Sequence, residues 1–190
     1  MLMLLTAQTT ERHGVEERRE LDELLSGVAA GDREALAQLY RRTRTAVYGL
    51  ALSYVKNAHD AQDVTQDTFV RVWDSAYQYK PQGSPMGWLL AVARNLALMK
   101  LRQGSRQEQL EDEEWDAIPA ESPAVTPEDR QVLQQAMAAL TDEERQVVML
   151  HAVTGLKHRE IAQVLNMPQA TELSKYSRSV KKLQKMLYAS

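Results

Sequence analysis

The segment that most constrains this 190-residue chain runs from Gly104 to Pro127. It holds Pro119, Pro123 and Pro127, few apolar residues, and the acidic run Glu111-Asp112-Glu113-Glu114. Proline lacks the amide hydrogen that helices and strands need, and dense like charge opposes collapse. The segment therefore reads as a linker between two units. The expected organisation is a flexible N-terminal tail over 1–19, a helical domain over 20–103, the linker over 104–127 and a smaller helical domain over 128–190. Trp115 and Ile118 are apolar exceptions in the linker; they either dock on a domain or stay exposed.

Both units read as all-α. Leu21, Leu24, Leu25 and Val28 recur at helical spacing, and Ala30-Gly31 closes that element. Asp32 caps a helix carrying Ala35, Leu36, Leu39, Val47, Leu50, Ala51, Tyr54 and Val55. Asp60 is a candidate N-cap for the next helix, whose apolar face is Val64, Phe69, Val72 and Trp73. After a loop from Lys80 to Gly87, another helix begins at Trp88. In the second unit, Pro127-Glu128 opens a helix that reaches Leu140. Thr141-Asp142-Glu143-Glu144 matches a capping box, and the helix it starts ends near Gly155. His158 to Leu165 forms a short helix ended by Asn166 in the left-handed conformation. A final helix runs from about Ala170 to Leu187. No run alternates like a strand, and no hairpin dipeptide occurs.

Composition excludes several classes. With no cysteine there is no disulfide framework, thiolate zinc site, iron–sulfur cluster or cysteine nucleophile. The apolar start Met1–Leu5 is too short for a signal-peptide core, and no stretch is long enough to span a membrane. No membrane insertion is expected, and the location expected is the cytoplasm. No glycine-rich phosphate loop, nucleophile elbow or paired-histidine motif appears. The four histidines, His13, His59, His151 and His158, are scattered and read as surface or core residues. No enzyme activity, cofactor or metal is expected.

The net charge of −3 conceals its distribution. Residues 108–129 carry nine acidic groups and no basic one, whereas residues 157–190 carry seven basic and two acidic groups. A short helix, a tight turn and a longer basic helix is the helix-turn-helix arrangement. Leu173, Tyr176, Val180, Leu183 and Leu187 line one side of the longer helix. Ser174, Lys175, Arg178, Lys181, Lys182 and Lys185 lie away from that stripe, placed to meet a phosphate backbone.

These segments carry a resemblance. DAQDVTQDTFVRVW, then WLLAVARNLA, then an acidic Pro-bearing linker, then LTDEERQVVMLHAVTGLKHREIAQVLNMP resemble, in order and spacing, a sigma-70 family factor of the short extracytoplasmic-function (ECF) group. The resemblance covers residues 20–103 and 128–188. It implies a transcription initiation factor that binds core RNA polymerase, reads promoter DNA at −10 and −35 elements, and is commonly held by an anti-sigma factor. It places polymerase docking at Asp63, Gln66, Asp67 and Arg71. It places −10 reading on the loop Gln82–Gly87 and the helix after it, at Trp88, Arg94, Asn95, Lys100 and Arg102. It places −35 reading at Thr171, Ser174, Lys175 and Arg178, with Lys181 and Lys182 on the same basic helix.

The chain departs from the family pattern in three places. Met99 stands where members commonly have an acidic residue, and Pro85 where the loop usually has an aromatic. The recognition helix opens Ala170-Thr171-Glu172-Leu173-Ser174-Lys175, so Glu172 replaces an apolar residue and Leu173 a cation. An anion near the duplex repels phosphate, although glutamate also accepts from cytosine N4. The departures imply either an unusual promoter preference or a diverged factor, sigma-like or a stand-alone helix-turn-helix regulator, whose DNA reading is weak or partner-dependent. The acidic linker is either a solvated tether or a nucleic-acid mimic that covers a basic face.

Overall fold

The computed structural model describes residues 2–81, 83–104 and 137–187, and these are helical with no strand among them. The first domain consists of α1 (Leu2–Ala29), α2 (Arg33–Val55), α3 (Ala58–Ser75), a 3₁₀ turn (Ala76–Gln78) and α4 (Pro85–Gly104). The second contains α5 (Asp142–Thr154), α6 (His158–Leu165) and α7 (Gln169–Leu187). The segment 105–136, with Trp115, Ile118 and most of the helix expected from Pro127, lies outside the described residues.

Helix ends follow local chemistry. The Asp32 carboxylate accepts from the Glu34 and Ala35 amides at 2.8 and 3.3 Å. Thr141 and Glu144 form the expected reciprocal capping box of α5. Gly155 (φ 60°) and Asn166 (φ 54°) end α5 and α6 in the left-handed region. Three expectations are corrected. The N-cap of α3 is Asn57, whose side chain accepts from the Asp60 amide at 2.9 Å, so Asp60 lies inside the first turn. The fourth helix begins at Pro85, not Trp88: Ser84 caps it through the Gly87 amide, and proline suits the first helical position. The first helix begins at Leu2, so the stretch expected as a tail is helical. It is rich in good helix formers, and residues 14–19 are exposed, which is why no apolar stripe announced it.

The first domain closes around Leu25, Leu39, Val47, Leu50, Phe69, Val72, Leu89 and Leu90. A smaller cluster of Ala51, Leu52, Ala61, Val64 and Ala97 ties α2, α3 and α4 together. Buried Thr43, Thr65 and Thr68 are satisfied by donating to carbonyls one turn back, at 2.6–2.7 Å.

The second domain packs directly on the first, α5 on α2 and α6 on α4. Val147, Leu150, Leu156, Ile161, Val164 and Leu165 join the same apolar core. Glycine permits the close approach: a Cβ at Gly49 would lie 3.0 Å from the Met149 sulfur. Lys56 pairs with Asp142 at 2.9 Å across the same boundary. Arg18 of α1 bonds both the Gly83 carbonyl and the Glu160 carboxylate, each at 3.0 Å.

Candidate nucleic-acid interface

Helix α3 buries Val64, Phe69 and Val72 and turns Gln66, Asp67, Val70, Arg71 and Asp74 to solvent. Val70 is 62% exposed at the centre of this face. An apolar residue ringed by polar ones suits a partner that desolvates it. Asp63 does not share that freedom. Lys100 of α4 reaches over to Asp63 at 3.0 Å and Asp60 at 3.1 Å. The Lys100 hydrogen bond holds the Asp63 carboxyl below its usual range, and Asp63 and Asp60 raise Lys100. Two residues assigned to different surfaces are thus paired with each other, joining α3 to α4.

The loop before α4 is braced from several sides. The Gly83 amide donates to the Lys80 carbonyl at 3.0 Å. Trp88 is half-buried against Tyr79, with ring centroids 5.5 Å apart. The Tyr79 hydroxyl donates to Asp22 of α1, and burial together with that carboxylate raises its pKa. Tyr79, Lys80, Gly83 and Trp88 form one wall of a cleft of about 580 Å³, and Glu160, Gln163 and Val164 of α6 form the other. Along α4, Asn95 and Arg102 are exposed. Arg94 instead donates to the Tyr54 hydroxyl at 3.2 Å, in a second cleft lined also by Asp142, Glu143 and Met167. It therefore faces the second domain.

Helix α7 presents a cationic, hydroxyl-bearing side. Thr171, Ser174, Arg178, Lys181 and Lys182 are exposed. No ion pair of Arg178 or Lys181 occurs among the described residues. Two other cations are engaged. Lys175 pairs with Glu143 of α5, and Lys182 donates to the buried Glu144 carboxylate at 2.7 Å. These bonds fix α7 to α5 and leave the outer cations to face a ligand.

The buried side of α7 differs from the expected stripe. Glu172, read as an anion beside DNA, is fully buried, as is Ser179, whereas Leu173 is 42% exposed. The structure also brings together two of the four histidines read as scattered. His151 and His158 meet with Nε2 and Nδ1 2.8 Å apart, and Glu172 lies against both. The Tyr176 ring packs on both imidazoles, at 4.4 and 5.1 Å. Burial, with the neighbouring His158, lowers the pKa of His151. No local motif links these residues; only their convergence in the fold does.

The family model for Sigma-70 region 2 matches residues 39–107, and that for Sigma-70, region 4 matches residues 130–183. The ECF RNA polymerase sigma factor SigK of Mycobacterium sp. (strain KMS) is 33% identical over 177 residues, covering 88% of this chain and 91% of that protein. The chain belongs to the sigma-70 family, in its ECF group. The ECF RNA polymerase sigma factor SigE of Mycolicibacterium smegmatis is 36% identical over 84% of this chain and 65% of its own length. The fold is shared with CnrH in complex with the cytosolic domain of CnrY, at a TM-score of 0.62 and 24% identity over 90% of this chain and 99% of that one. It is shared also with Bartonella quintana RpoE in complex with the anti-sigma factor NepR, at a TM-score of 0.66 and 22% identity over 80% and 96%. As a sigma factor this chain is a transcription initiation factor that directs polymerase to promoters. Among the described residues no helix is long and apolar enough to cross a membrane.

Proposed function

We propose that this sigma factor docks core RNA polymerase on the outer face of α3, through Gln66, Asp67 and Arg71 around Val70. Asp63 supports that face from its pair with Lys100. In this reading α7 reads the −35 element with Thr171, Ser174 and Arg178, and Lys181 contacts phosphate. The observation that carries the reading is the exposed cationic side of α7, fixed to its domain by Lys175 and Lys182. The loop before α4, with Trp88, Asn95 and Arg102, takes the −10 strand. Stacking on an aromatic ring contributes about 1–3 kcal/mol per base in such sites.

The cleft between that loop and α6 adds a condition. Gln163 and Val164 stand opposite Trp88 and Lys80, so the −10 strand gains access when the two domains part. We assign the chain a binding role, not a catalytic one, and place it in the cytoplasm, where polymerase and promoters are. An anti-sigma protein is its regulatory partner; RpoE and CnrH, which share the fold, were each solved with a bound partner.

Run-off transcription with purified core polymerase tests the proposal. Adding the chain should yield promoter-specific transcripts, and Asp67→Lys should lower polymerase affinity in a pull-down while leaving the melting temperature within about 1 °C, as for an exposed substitution. Unchanged polymerase affinity in Asp67→Lys would discard the assigned docking face. No transcript above core polymerase alone would discard the functional reading.

A further inference from the structure

Helices α5, α6 and α7 each send one potential ligand atom to a single point inside the second domain. His151 Nε2, His158 Nδ1 and Glu172 Oε1 form a triangle with edges of 2.8, 3.1 and 3.4 Å. With neutral imidazoles, hydrogen bonding holds this triangle through a single proton. If His158 Nδ1 carries the proton, that one hydrogen is shared between the carboxylate at 2.9 Å and the His151 Nε2 lone pair at 2.8 Å. If His151 Nε2 carries the proton, His158 Nδ1 turns a bare lone pair on the carboxylate, whose nearer oxygen is 2.9 Å away. One cation serves all three atoms at once.

The dimensions suit a small one. With these edges the circle through the three atoms has a radius of about 1.8 Å, so an ion with bonds of about 2.1 Å sits about 1 Å above their plane. That is a tetrahedral site with three protein ligands and one open position. Glu172 is fully buried, while the side chains of His151 and His158 are 18% and 34% exposed, so water reaches the histidine side. A buried carboxylate needs a compensating charge, and the described residues bring no Lys or Arg to Glu172. The other convergence of this kind differs: His59, Asp60 and Asp63 are at the surface, and the Lys100 ammonium already lies against both carboxylates.

We infer that His151, His158 and Glu172 form a binding site for a divalent transition-metal ion of the zinc type. Two imidazoles and one carboxylate are a borderline donor set that favours zinc-like ions over magnesium or calcium. The bound ion cross-links three helices at the root of the recognition helix, with Glu172 between Thr171 and Leu173. It therefore fixes the angle at which α7 offers its outer face; this consequence rests on the −35 reading, whereas the site itself does not.

The test uses the full chain, stripped with chelator and titrated with Co²⁺ and Zn²⁺. One equivalent of Co²⁺ should bind with the intense visible absorption of tetrahedral coordination. Zn²⁺ should displace it and raise the melting temperature by several degrees, since an ion that binds only the folded form stabilises it. Glu172→Gln and His158→Gln should each weaken binding at least tenfold, with circular dichroism confirming the helices. The double variant His13→Gln/His59→Gln should bind as the parent does. No stoichiometric binding, equal binding in Glu172→Gln and His158→Gln, or loss in the His13/His59 variant would overturn the site. Intact metal binding with −35 duplex affinity indifferent to metal would overturn only the consequence for DNA.

Discussion

The joint between the domains makes a sharp prediction at Gly49. A Cβ there lies 3.0 Å from the Met149 sulfur across the α2–α5 contact. Gly49→Ala asks only a flexible thioether to give by a few tenths of an ångström, while replacing glycine inside a helix contributes about 1 kcal/mol. The variant should be slightly stabilised with its domains still closed. Gly49→Leu adds three further carbons where Met149 already stands. Overpacking of this kind costs about 1–3 kcal/mol, and only the closed arrangement bears it. That shifts the closed-to-open ratio by about 5- to 150-fold, at 1.4 kcal/mol per factor of ten. The chain has no cysteine, so cysteines placed at exposed Asp74 and Ser177 are the only labelling points for a distance measurement by energy transfer. Gly49→Leu should lengthen that distance and strengthen binding of a −10 single strand, because Trp88 is released from α6. If Gly49→Leu gives the same distance distribution as Gly49→Ala, packing of α5 on α2 is not what holds the domains together.

Glu144 and Arg178 supply two further tests. Glu144 bonds the Thr141 amide at 3.0 Å and accepts from Lys182, whose hydrogen bond holds its carboxyl below the ordinary value of 4.5. Its contribution is therefore complete above about pH 4.5 and lost as pH falls through the depressed value. Glu144→Ala should cost about 1–3 kcal/mol at pH 7, from the lost cap and the lost pair. Glu144→Gln keeps an acceptor for the cap, should cost about half as much, and should show a flatter acid limb in denaturant melts between about pH 5 and 3. Equal losses for the two variants would contradict the capping role. Arg178→Ala should leave stability unchanged and weaken −35 duplex binding; if Arg178 contacts phosphate, the slope of affinity against log salt falls by about 1, and if it reads a base, discrimination falls instead.

The fold was legible where its causes are local. Asp32, Thr141, Glu144, Gly155 and Asn166 ended helices where their side chains or left-handed backbone dictate. Errors arose where two local signals compete. Asn57 and Asp60 are both good N-caps three residues apart, and only the backbone at Asn57 has the extended conformation that a cap requires. Pro85 looked like a loop residue and is a first-turn residue. The pairing of Asp63 with Lys100, 37 positions apart, has no sequence signal. Nor does the turning of Arg94 toward Tyr54, 40 positions away, which follows from how α4 packs beside α2.

Glu172 shows most clearly what a single-helix reading misses, and correcting it changes the expectation for DNA. Hydrophobicity alone assigned Leu173 to the buried stripe of α7 and Glu172 to the outside. Among the described residues of α7 the positions that are not exposed are 172, 175, 176, 179, 180, 183 and 186, with 172 and 179 fully buried, a face that puts Glu172 in the seam and Leu173 about 100° away. A carboxylate in the seam is tolerable only because His151 and His158 arrive from two other helices. With Glu172 turned inward, the repulsion expected between this anion and phosphate does not arise. The outer face keeps Thr171, Ser174, Arg178 and Lys181 and gains an exposed leucine, a side chain suited to the methyl group of thymine and unable to bond guanine as a cation would. The departure at Leu173 therefore predicts an altered base preference with phosphate affinity retained, so exchanging Leu173→Lys should raise discrimination for guanine at one −35 position. If Leu173→Lys strengthens binding equally on every duplex tested, the leucine carries no base preference.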